Sequence, residues 1–414
     1  MRILYFHQYF KTPEGTGGTR SYEMAKYFVE NGHQVTMVYV VNEVKKSNLT
    51  VPYKNGLRRG KFDGIDLIEF DLNYSNKLNF FHRTMVFLAY SFRCIKLVFT
   101  EDYDLVFATS TPLTVGIPGI VMKMIGKKKP FVFEVRDLWP ELPREMGVIK
   151  NKFVLWMMSV LESVSYNKAD ACIALSPGIS AGIKKKLKRE KPVYMIPNGC
   201  DLDLFQPGRA SKSIIPGVEE DQLVAVFTGA HGFANGLDNA LDAAAQLLFT
   251  DYADKIKLVF IGDGILKQKL IERKQKEKLS NCIFLDPVPK NELNKILQAS
   301  DVGLMLLANV PAFYYGTSPN KFFDYISMGF PVLNNYPGWL AELINTYDCG
   351  LAVEPDKPKL FAEALINFYV NKDRIPEMGK NSRKLAESNF DRKNLAGELL
   401  SALQSTYESY SKAV

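Results

Sequence analysis

The sequence predicts an α/β protein made of two Rossmann-like, doubly wound domains that face each other across a cleft. Three observations favour this architecture. The chain has 414 residues, enough for two or three domains with cores of their own. Short β-branched and aromatic runs alternate with helix-like stretches, a pattern typical of parallel sheets covered on both faces. The alternation stops at a segment rich in proline and glycine and then begins again.

The predicted strands form two series. The first series is Ile3–Phe6, Val35–Val40, Asp66–Phe70, Leu105–Ala108, Phe131–Val135, Cys172–Leu175 and Val193–Ile196. The second series is Leu223–Thr228, Lys257–Ile261, Cys282–Leu285, Val302–Leu306, Val332–Asn334 and Leu351–Val353. The junction is the segment Pro197–Asp221, so we predict domains over 1–205 and 206–385. A terminal helix within 386–414 carries an apolar stripe and is expected to pack on either domain.

Composition excludes several classes of protein. Hydrophobic residues make up 47% and charged residues 23% of the chain, which is ordinary for a globular protein. Five cysteines without a C-x-x-C pair and four histidines without metal spacing argue against a disulfide framework and a His/Cys metal centre. Residues 1–200 contain 29 Lys+Arg and 18 Asp+Glu (+11), and residues 201–414 contain 23 and 27 (−4), which sum to +7. The basic half indicates an anionic partner or an ordinary solvated surface.

The chain shows neither a signal peptide nor an apolar run long enough to cross a bilayer. We therefore predict a cytoplasmic protein. The segment Lys77–Phe99 is basic and aromatic, and Ile183–Arg189 is a basic cluster. Such surfaces favour peripheral docking on anionic lipid at the inner face of the cell membrane. The alternative is an ordinary helix that covers the sheet with its lysine side chains extended towards water.

The most informative stretch is Phe313–Val332. Ser318 is suited to cap a helix, and Pro319 to occupy its first turn. A helix start presents unpaired N–H groups, which suit a phosphate, and Lys321 adds a positive charge. Asp324 can accept hydrogen bonds from sugar hydroxyls. The alternative from these signals alone is a capped core helix without a ligand.

This stretch resembles the donor-binding segment of glycosyltransferase family 4, in which a proline–x–lysine pair precedes an acidic residue and a glycine–x–proline. Other segments agree with the family in the same order: Ile196–Asp201 with Phe205, Phe227–Leu237 and Val259–Gly264. The resemblance implies the GT-B fold, with 1–205 on the acceptor side and 206–385 binding the nucleotide sugar. The segments Glu134–Glu141 and Gly316–Asp324 resemble a branch that includes fucosamine transferases of bacterial surface polysaccharides.

The resemblance implies a retaining transferase. Its donor would be a nucleotide-diphosphate sugar, expected to be UDP-linked, with an N-acetylated amino sugar as a candidate. Its acceptor would be a lipid-linked (polyprenyl diphosphate) saccharide of O-antigen or capsule. In this family the leaving phosphate is thought to take the acceptor's proton, and no cofactor or metal is needed. Asp201-Leu-Asp203 looks like a D-x-D metal motif but lies in the interdomain segment, so no metal is expected there.

The resemblance also implies site residues. Arg136, Asp137 and Lys321 are the candidate catalytic residues; Arg136 and Lys321 would stabilise the leaving group. The candidate donor-binding residues are Gly17, Gly18, His231, Asn235, Gly262, Ser318, Asn320 and Asp324. The candidate acceptor-binding residues are Arg20 and Glu141, and Asp137 would help to position the acceptor.

Two departures from the family pattern keep other functions open. Gly316 stands where the family has a glutamate, and the 229–237 loop lacks the usual Arg and Lys. One alternative is a nucleotide-sugar 2-epimerase of the same fold, which would need no acceptor. Another is a non-catalytic nucleotide-sugar-binding protein. A nucleic-acid partner is not expected, because the basic residues match no recognition motif.

Overall fold

The computed structural model of the chain describes residues 1–13, 18–42, 49–74, 80–126 and 129–413. The chain forms two compact α/β units. The first unit consists of Met1–Pro197, Gly316–Ser318 and Lys393–Val414, and the second of Asn198–Tyr315 and Pro319–Arg392. The two units therefore part at Pro197 and Asn198, before the boundary at 205 that the sequence predicted.

The first unit contains an eight-stranded sheet. Its strands are β1 (Arg2–Phe6), β2 (Gln34–Asn42), β3 (Leu57–Phe62), β4 (Ile65–Tyr74), β5 (Leu105–Thr109), β6 (Phe131–Val135), β7 (Ala171–Ala174) and β8 (Val193–Met195). The spatial order is β3-β4-β2-β1-β5-β6-β7-β8. All neighbouring strands are parallel except β3 and β4. Every residue of β5 and β6 is buried, as expected for central strands covered on both faces.

Helices cover both faces of this sheet. They are α1 (Arg20–Glu30), α2 (Phe80–Thr100), α3 (Ile117–Ile125), α4 (Glu141–Glu145), α5 (Lys152–Lys168), α6 (Pro177–Lys186) and, from the end of the chain, α15 (Arg392–Ala413). Residues of α2, α3, α5 and α6 share one apolar core with the sheet, and residues of α1 and α15 share the other. The terminal helix thus packs on the first unit through Leu395, Leu399 and Leu403, which are buried there.

The second unit contains a six-stranded sheet in which all pairs are parallel. Its strands are β9 (Leu223–Thr228), β10 (Ile256–Ile261), β11 (Cys282–Leu285), β12 (Val302–Met305), β13 (Val332–Asn334) and β14 (Gly350–Ala352). The order is β11-β10-β9-β12-β13-β14, which is the doubly wound Rossmann arrangement. Its helices are α7 (Leu237–Leu247), α8 (Lys267–Lys276), α9 (Lys290–Gln298), α10 (Pro311–Gly316), α11 (Asn320–Ser327), α12 (Trp339–Thr346), α13 (Pro358–Val370) and α14 (Ile375–Asn389).

The predicted α/β class and both strand series are confirmed, and two local predictions are wrong. The antiparallel edge strand β3 was not predicted, because three of its six residues are Arg58, Arg59 and Lys61. The capping position of α11 is Pro319 and not Ser318, and the first helical residue is Asn320. In the part of the chain that the structure describes, no helix is long and apolar enough to cross a membrane.

Candidate functional site

The second unit has a topological switch point between β9 and β12. The strands that follow β9 extend the sheet first on one side, as β10 and β11, and then on the other, as β12 to β14. In open α/β sheets, ligands bind beyond the carboxyl ends of the strands at such a point. The chain that leaves β9 forms the Gly229–Gly236 loop and then enters α7, so this loop and its neighbours are the candidate site.

Two glycine turns shape this edge of the sheet. Gly229 follows β9 and Gly262 follows β10, and both have a positive φ, of +144° and +151°. A Cβ atom on Gly262 would lie 1.9 Å from the carbonyl oxygen of Gly229, and one on Gly264 would lie 2.5 Å from that of His231. The turns therefore pack backbone against backbone. This close approach explains why Gly262, a predicted donor-binding residue, lacks a side chain.

Lys321 places its ammonium group above the end of β9. Its Nζ atom lies 4.5 Å from the centroid of the Phe227 ring and donates a hydrogen bond to Asn235 Oδ1 (2.5 Å). The Asn235 Nδ2 group in turn donates to the Ala230 carbonyl (2.7 Å). Lys321 forms no ion pair with an acid within the described chain, and burial lowers its pKa to about 7. The predicted residues Lys321 and Asn235 are therefore brought together around a cation that no carboxylate neutralises.

Helix α11 is fixed to the sheet by Tyr325, one turn after Lys321. The Tyr325 hydroxyl accepts a hydrogen bond from the backbone N–H of Thr228 (2.9 Å), and the ring covers Gly303 of β12. The capping residues of α11 and α7 are Pro319 and the left-handed Gly236, and neither makes a side-chain capping hydrogen bond. Uncapped helix starts leave N–H donors that favour an anion. Asn320 is the first residue of α11 and lies half-buried at this start.

Asp324 lies in a group of charged side chains. Its pKa is raised to about 6, because burial outweighs the opposing charges of Lys290 and Arg392, and the negative charge of Asp201 adds to the rise. Asp201 itself pairs with Arg392 (3.2 Å) and Lys290 (3.8 Å). Asp324 is thus mostly ionised at neutral pH and half-buried, as a carboxylate that accepts hydrogen bonds from hydroxyls must be.

The His231 side chain is buried beneath this loop, and its predicted role in donor binding stays a prediction. The residue is fully buried, with its ring against those of Phe227 and Phe284. Burial, aided by the charge of Lys267, lowers the pKa of His231 to about 4, so the ring is neutral at physiological pH. Neither ring nitrogen has a hydrogen-bond partner among the described residues. A buried neutral ring cannot replace the basic residues missing from the loop.

The first unit also carries polar residues at the carboxyl ends of its central strands. Arg136 and Asp137 follow β6, and both are half-buried. Asp137 accepts a hydrogen bond from the Thr111 hydroxyl (3.0 Å), and burial raises its pKa. After β1, His7 is buried near Arg136, and its pKa lies well below the usual value because of burial and that charge. Gln8 is also buried, and its side-chain amide has no partner in the described part of the chain.

Arg20 contributes to the interior of the first unit, and its predicted contact with an acceptor stays a prediction. Its side chain is almost completely buried and pairs with Glu134 (2.8 Å) in the interior of the first unit. The guanidinium also donates to the carbonyl groups of Ile196 (2.9 Å) and Pro197. Each of its three side-chain nitrogens therefore donates a hydrogen bond within the protein.

The remaining predicted residues are Gly17, Gly18, Glu141 and Ser318. Gly18 is exposed just before α1, whereas Gly17 lies outside the described residues. Glu141 begins the short helix α4 and is half-buried. Ser318 belongs to the short piece that groups with the first unit. The sequence analysis did not identify Phe227, Tyr325, Lys290 and Arg392 as site residues. Only Tyr325 could have been found from local spacing, because it lies four residues after Lys321 and therefore on the same side of the helix.

Two family models match the chain in succession. The model described as Glycosyltransferase Family 4 matches residues 17–204, and the model described as Glycosyl transferases group 1 matches residues 209–385. The probable glycosyltransferase WbjE of Pseudomonas aeruginosa is 25% identical over 285 residues, which are 68% of this chain and 65% of WbjE. The match thus spans slightly less than two thirds of that relative's own length.

Solved structures share the fold over nearly the whole chain. Sucrose-phosphate synthase of Thermosynechococcus elongatus superposes with a TM-score of 0.77 at 16% identity, covering 99% of each chain. HepE of Anabaena, solved in complex with UDP, superposes with a TM-score of 0.69 at 16% identity, covering 98% of this chain and 100% of HepE. The fold is therefore the two-domain GT-B fold, and both matching family models describe glycosyltransferase domains. This chain carries a family 4 domain followed by a group 1 domain.

Proposed function

We propose that the protein transfers a sugar from a nucleotide-diphosphate donor, with retention of configuration, to a hydroxyl group of a lipid-linked saccharide. The observation that carries this proposal is Lys321. Its ammonium group has no acidic partner in the described chain and lies at the switch point, beside the starts of α7 and α11. The negative charge of a donor diphosphate would complete this arrangement.

Each part of the site would stabilise a different part of the donor. The N–H groups at the starts of α7 and α11, with Lys321, would bind the diphosphate and stabilise the charge that develops as the sugar leaves. Asp324 would accept hydrogen bonds from the ribose hydroxyls. In the first unit, Arg136 would add positive charge, and Asp137 would orient the acceptor hydroxyl. The leaving phosphate would take the acceptor's proton, so no carboxylate has to attack the sugar.

A UDP-linked donor is the expected class. HepE, which shares the fold, was solved in complex with UDP. An N-acetylated amino sugar, and a product in O-antigen or capsule, follow from the resemblance to the fucosamine-transferase branch. These are parts of the proposal that need a donor and acceptor screen. The reaction is expected to need no metal.

The lipid-linked acceptor is supported by the outer surface of the first unit. On α2 the side chains of Phe81, Met85, Phe92 and Phe99 are exposed, and they lie on one face of the helix. The cations of α2 are less available than the sequence suggested. Arg93 donates to the carbonyl groups of Gly56 (2.8 Å) and Asp71 (3.1 Å), so this arginine supports the fold. The apolar face of α2 is therefore one surface that docking at the inner membrane surface would use.

Thermal melting with candidate ligands tests the donor part of the proposal. Wild type and Asp324→Ala are melted with UDP, GDP, NAD and no ligand. A ligand at about 100 times its Kd adds about 2.7 kcal/mol of stability. We expect UDP to raise the Tm of the wild type and to have little effect on the variant. If no nucleotide raises the Tm of the wild type, the donor proposal is overturned. Conversion of a lone nucleotide sugar to its epimer would favour the 2-epimerase instead.

A further inference from the structure

A second site is suggested by a cavity in the first unit, at the amino edge of the sheet. The cavity has a volume of about 680 Å³ and lies between the end of α5 and the segment that precedes β8. We call it the α5 cavity. It is lined by Lys123, Ser163, Val164, Asn167, Lys168, Ala169, Asp170, Lys188, Arg189, Glu190 and Lys191. Because β6 and β7 begin here, the α5 cavity lies at the opposite edge of the sheet from Arg136 and Asp137.

Positive charge dominates the lining of the α5 cavity. Five lining residues are Lys or Arg and two are Asp or Glu. One of the acids, Asp170, is already neutralised, because both of its oxygens accept hydrogen bonds from Lys123 Nζ (2.9 and 3.0 Å) and one also accepts from the Phe131 N–H (2.7 Å). The cavity therefore keeps an excess of positive charge that the protein does not balance internally.

Lys191 neutralises the partial negative charge at the end of α5, which would otherwise repel an anion from the α5 cavity. The end of a helix carries partial negative charge on its last carbonyl groups. Lys191 Nζ donates to the carbonyl groups of Tyr166 (3.1 Å), Asn167 (2.8 Å) and Ala169 at the end of α5 (2.5 Å). Lys168, Lys188 and Arg189 are exposed and form no ion pair within the described chain. These three side chains are thus available to an anionic ligand.

The outer face of α5 leads from exposed apolar residues into this cavity. Phe153, Trp156, Met157 and Val160 follow the i, i+3, i+4, i+7 spacing of one helix face. Phe153 is 64% and Trp156 60% exposed, and their rings stack with centroids 5.8 Å apart. We call these four residues the α5 stripe. The next positions on the same face, Ser163 and Val164, line the α5 cavity.

We propose that the α5 cavity binds the phosphate headgroup of an anionic phospholipid while the α5 stripe enters the membrane interface. The proposal rests on the proposed function in one respect: a lipid-linked acceptor requires the enzyme at a membrane. An apolar stripe continuous with an unbalanced cationic cavity matches a ligand that is apolar at one end and anionic at the other. A free phosphate would use the cavity but leave the stripe exposed to water.

The position of α5 relates the proposed membrane contact to the place where we expect the acceptor. The helix returns the chain from the carboxyl end of β6 to the amino end of β7, so the α5 stripe begins on the side of the sheet that carries Arg136 and Asp137. A membrane surface against the stripe would therefore extend from the headgroup in the cavity towards the strand ends where we expect the acceptor.

Vesicle co-sedimentation of the full-length protein tests the proposal. The vesicles are phosphatidylcholine alone or an equimolar mixture with phosphatidylglycerol. The cavity variant is Lys168→Gln, Lys188→Gln, Arg189→Gln. The control variant is Lys269→Gln, Lys380→Gln, Lys384→Gln, which removes the same charge from exposed positions of the second unit. Each basic residue near an anionic surface contributes about fivefold to binding. We expect the cavity variant to lose about a hundredfold in partitioning and the control to bind like wild type.

Trp156 reports on the α5 stripe directly. Trp339 is buried and Trp139 is half-buried, so Trp156 is the most exposed of the three tryptophans. Mixed vesicles should shift the fluorescence of the wild type to shorter wavelength. The Trp156→Phe variant should bind the vesicles without that shift. A shift that persists in Trp156→Phe would overturn the role of the stripe.

Three other results would overturn the proposal. Equal sedimentation of the cavity variant and wild type would exclude the cavity. A rise in Tm with inorganic phosphate or tripolyphosphate, without vesicle binding, would identify a free anion as the ligand. Dimers that dissociate in a Phe153→Ser, Trp156→Ser variant, again without vesicle binding, would mean that a second copy covers the stripe. The melting experiment with UDP is independent of these, so vesicle binding without a UDP effect would refute only the proposed function.

Discussion

Both units are doubly wound α/β sheets, but they differ in how charged residues are paired at the ends of their central strands. In the first unit, Arg20 and Glu134 pair in the interior, where both are almost completely buried. In the second unit, Lys321 lies half-buried at the equivalent edge, with a ring and an amide as partners and no acid among the described residues. A buried pair supports the fold, whereas under the proposed function the charge of Lys321 would be neutralised by a ligand. Exposure and pairing thus separate structural from functional charges more reliably than position in the sheet does.

The largest effect on stability is expected from breaking the buried pair. Arg20→Met leaves the Glu134 carboxylate buried without its partner, so the free energy of unfolding should fall by about 3–5 kcal/mol. The measurement is chemical denaturation followed by tryptophan fluorescence. The double variant Arg20→Met, Glu134→Gln is the control and should recover part of the loss. A loss below about 1 kcal/mol in the single variant would contradict the structural role.

Lys321→Met is expected to reduce turnover strongly and stability only slightly, in contrast to Arg20→Met. Turnover should fall by about 10²–10³, as when one preorganised donor to a developing negative charge is removed. The free energy of unfolding should change by less than about 1 kcal/mol, because no buried acid loses its partner. Initial rates with the donor found in the screen, together with melting curves, measure both quantities. Lys380→Met, an exposed substitution in the same unit, is the control. Wild-type turnover in Lys321→Met would remove this residue from the mechanism.

Donor affinity should depend on pH through two groups of the second unit. Asp324 has a pKa of about 6 and must be ionised to accept hydrogen bonds, so binding should weaken below pH 6. Lys321 has a pKa of about 7 and must be protonated to bind a phosphate, so binding should weaken above pH 7. Calorimetry with a UDP-sugar, whose diphosphate does not titrate in this range, measures Kd across pH.

Two variants test which group causes each decline in donor affinity. Lys321→Arg keeps its charge at every pH tested and should remove the decline above pH 7. Asp324→Asn cannot ionise and should remove the decline below pH 6. A flat profile for the wild type would mean that neither group controls donor binding.

The smallest effect is expected at Gly316, where the family has a glutamate. A Cβ atom there would meet no described atom within 4 Å, so Gly316→Glu should change the free energy of unfolding by only about 0.5 kcal/mol. Gly262→Ala is the matched glycine control, since its Cβ would lie 1.9 Å from the Gly229 carbonyl oxygen. That variant should melt at a clearly lower temperature. Equal melting of both variants would contradict the packing of the glycine turns.

Sequence periodicity predicted the order and class of the strands because buried parallel strands are short apolar runs with clear ends. It missed β3, since half of the residues of this edge strand, Leu57–Phe62, are charged. The pairing of Lys321 with Asn235 was partly readable, because both residues lie in segments that match the family in order. The burial of His231 and the pairing of Arg20 with Glu134 could not be predicted from the sequence. Both depend on contacts between distant parts of the chain, which local spacing does not record.

The terminal helix α15 constrains the order in which the protein can mature on the ribosome. Leu395, Leu399 and Leu403 belong to the core of the first unit, yet in the chain they follow the whole of the second unit. Burying each leucine contributes about 1.5–3 kcal/mol. During translation the first unit must therefore wait, with part of its apolar core uncovered, until the whole of the second unit has emerged. The apolar core of the first unit is therefore completed only after the second unit has been synthesised.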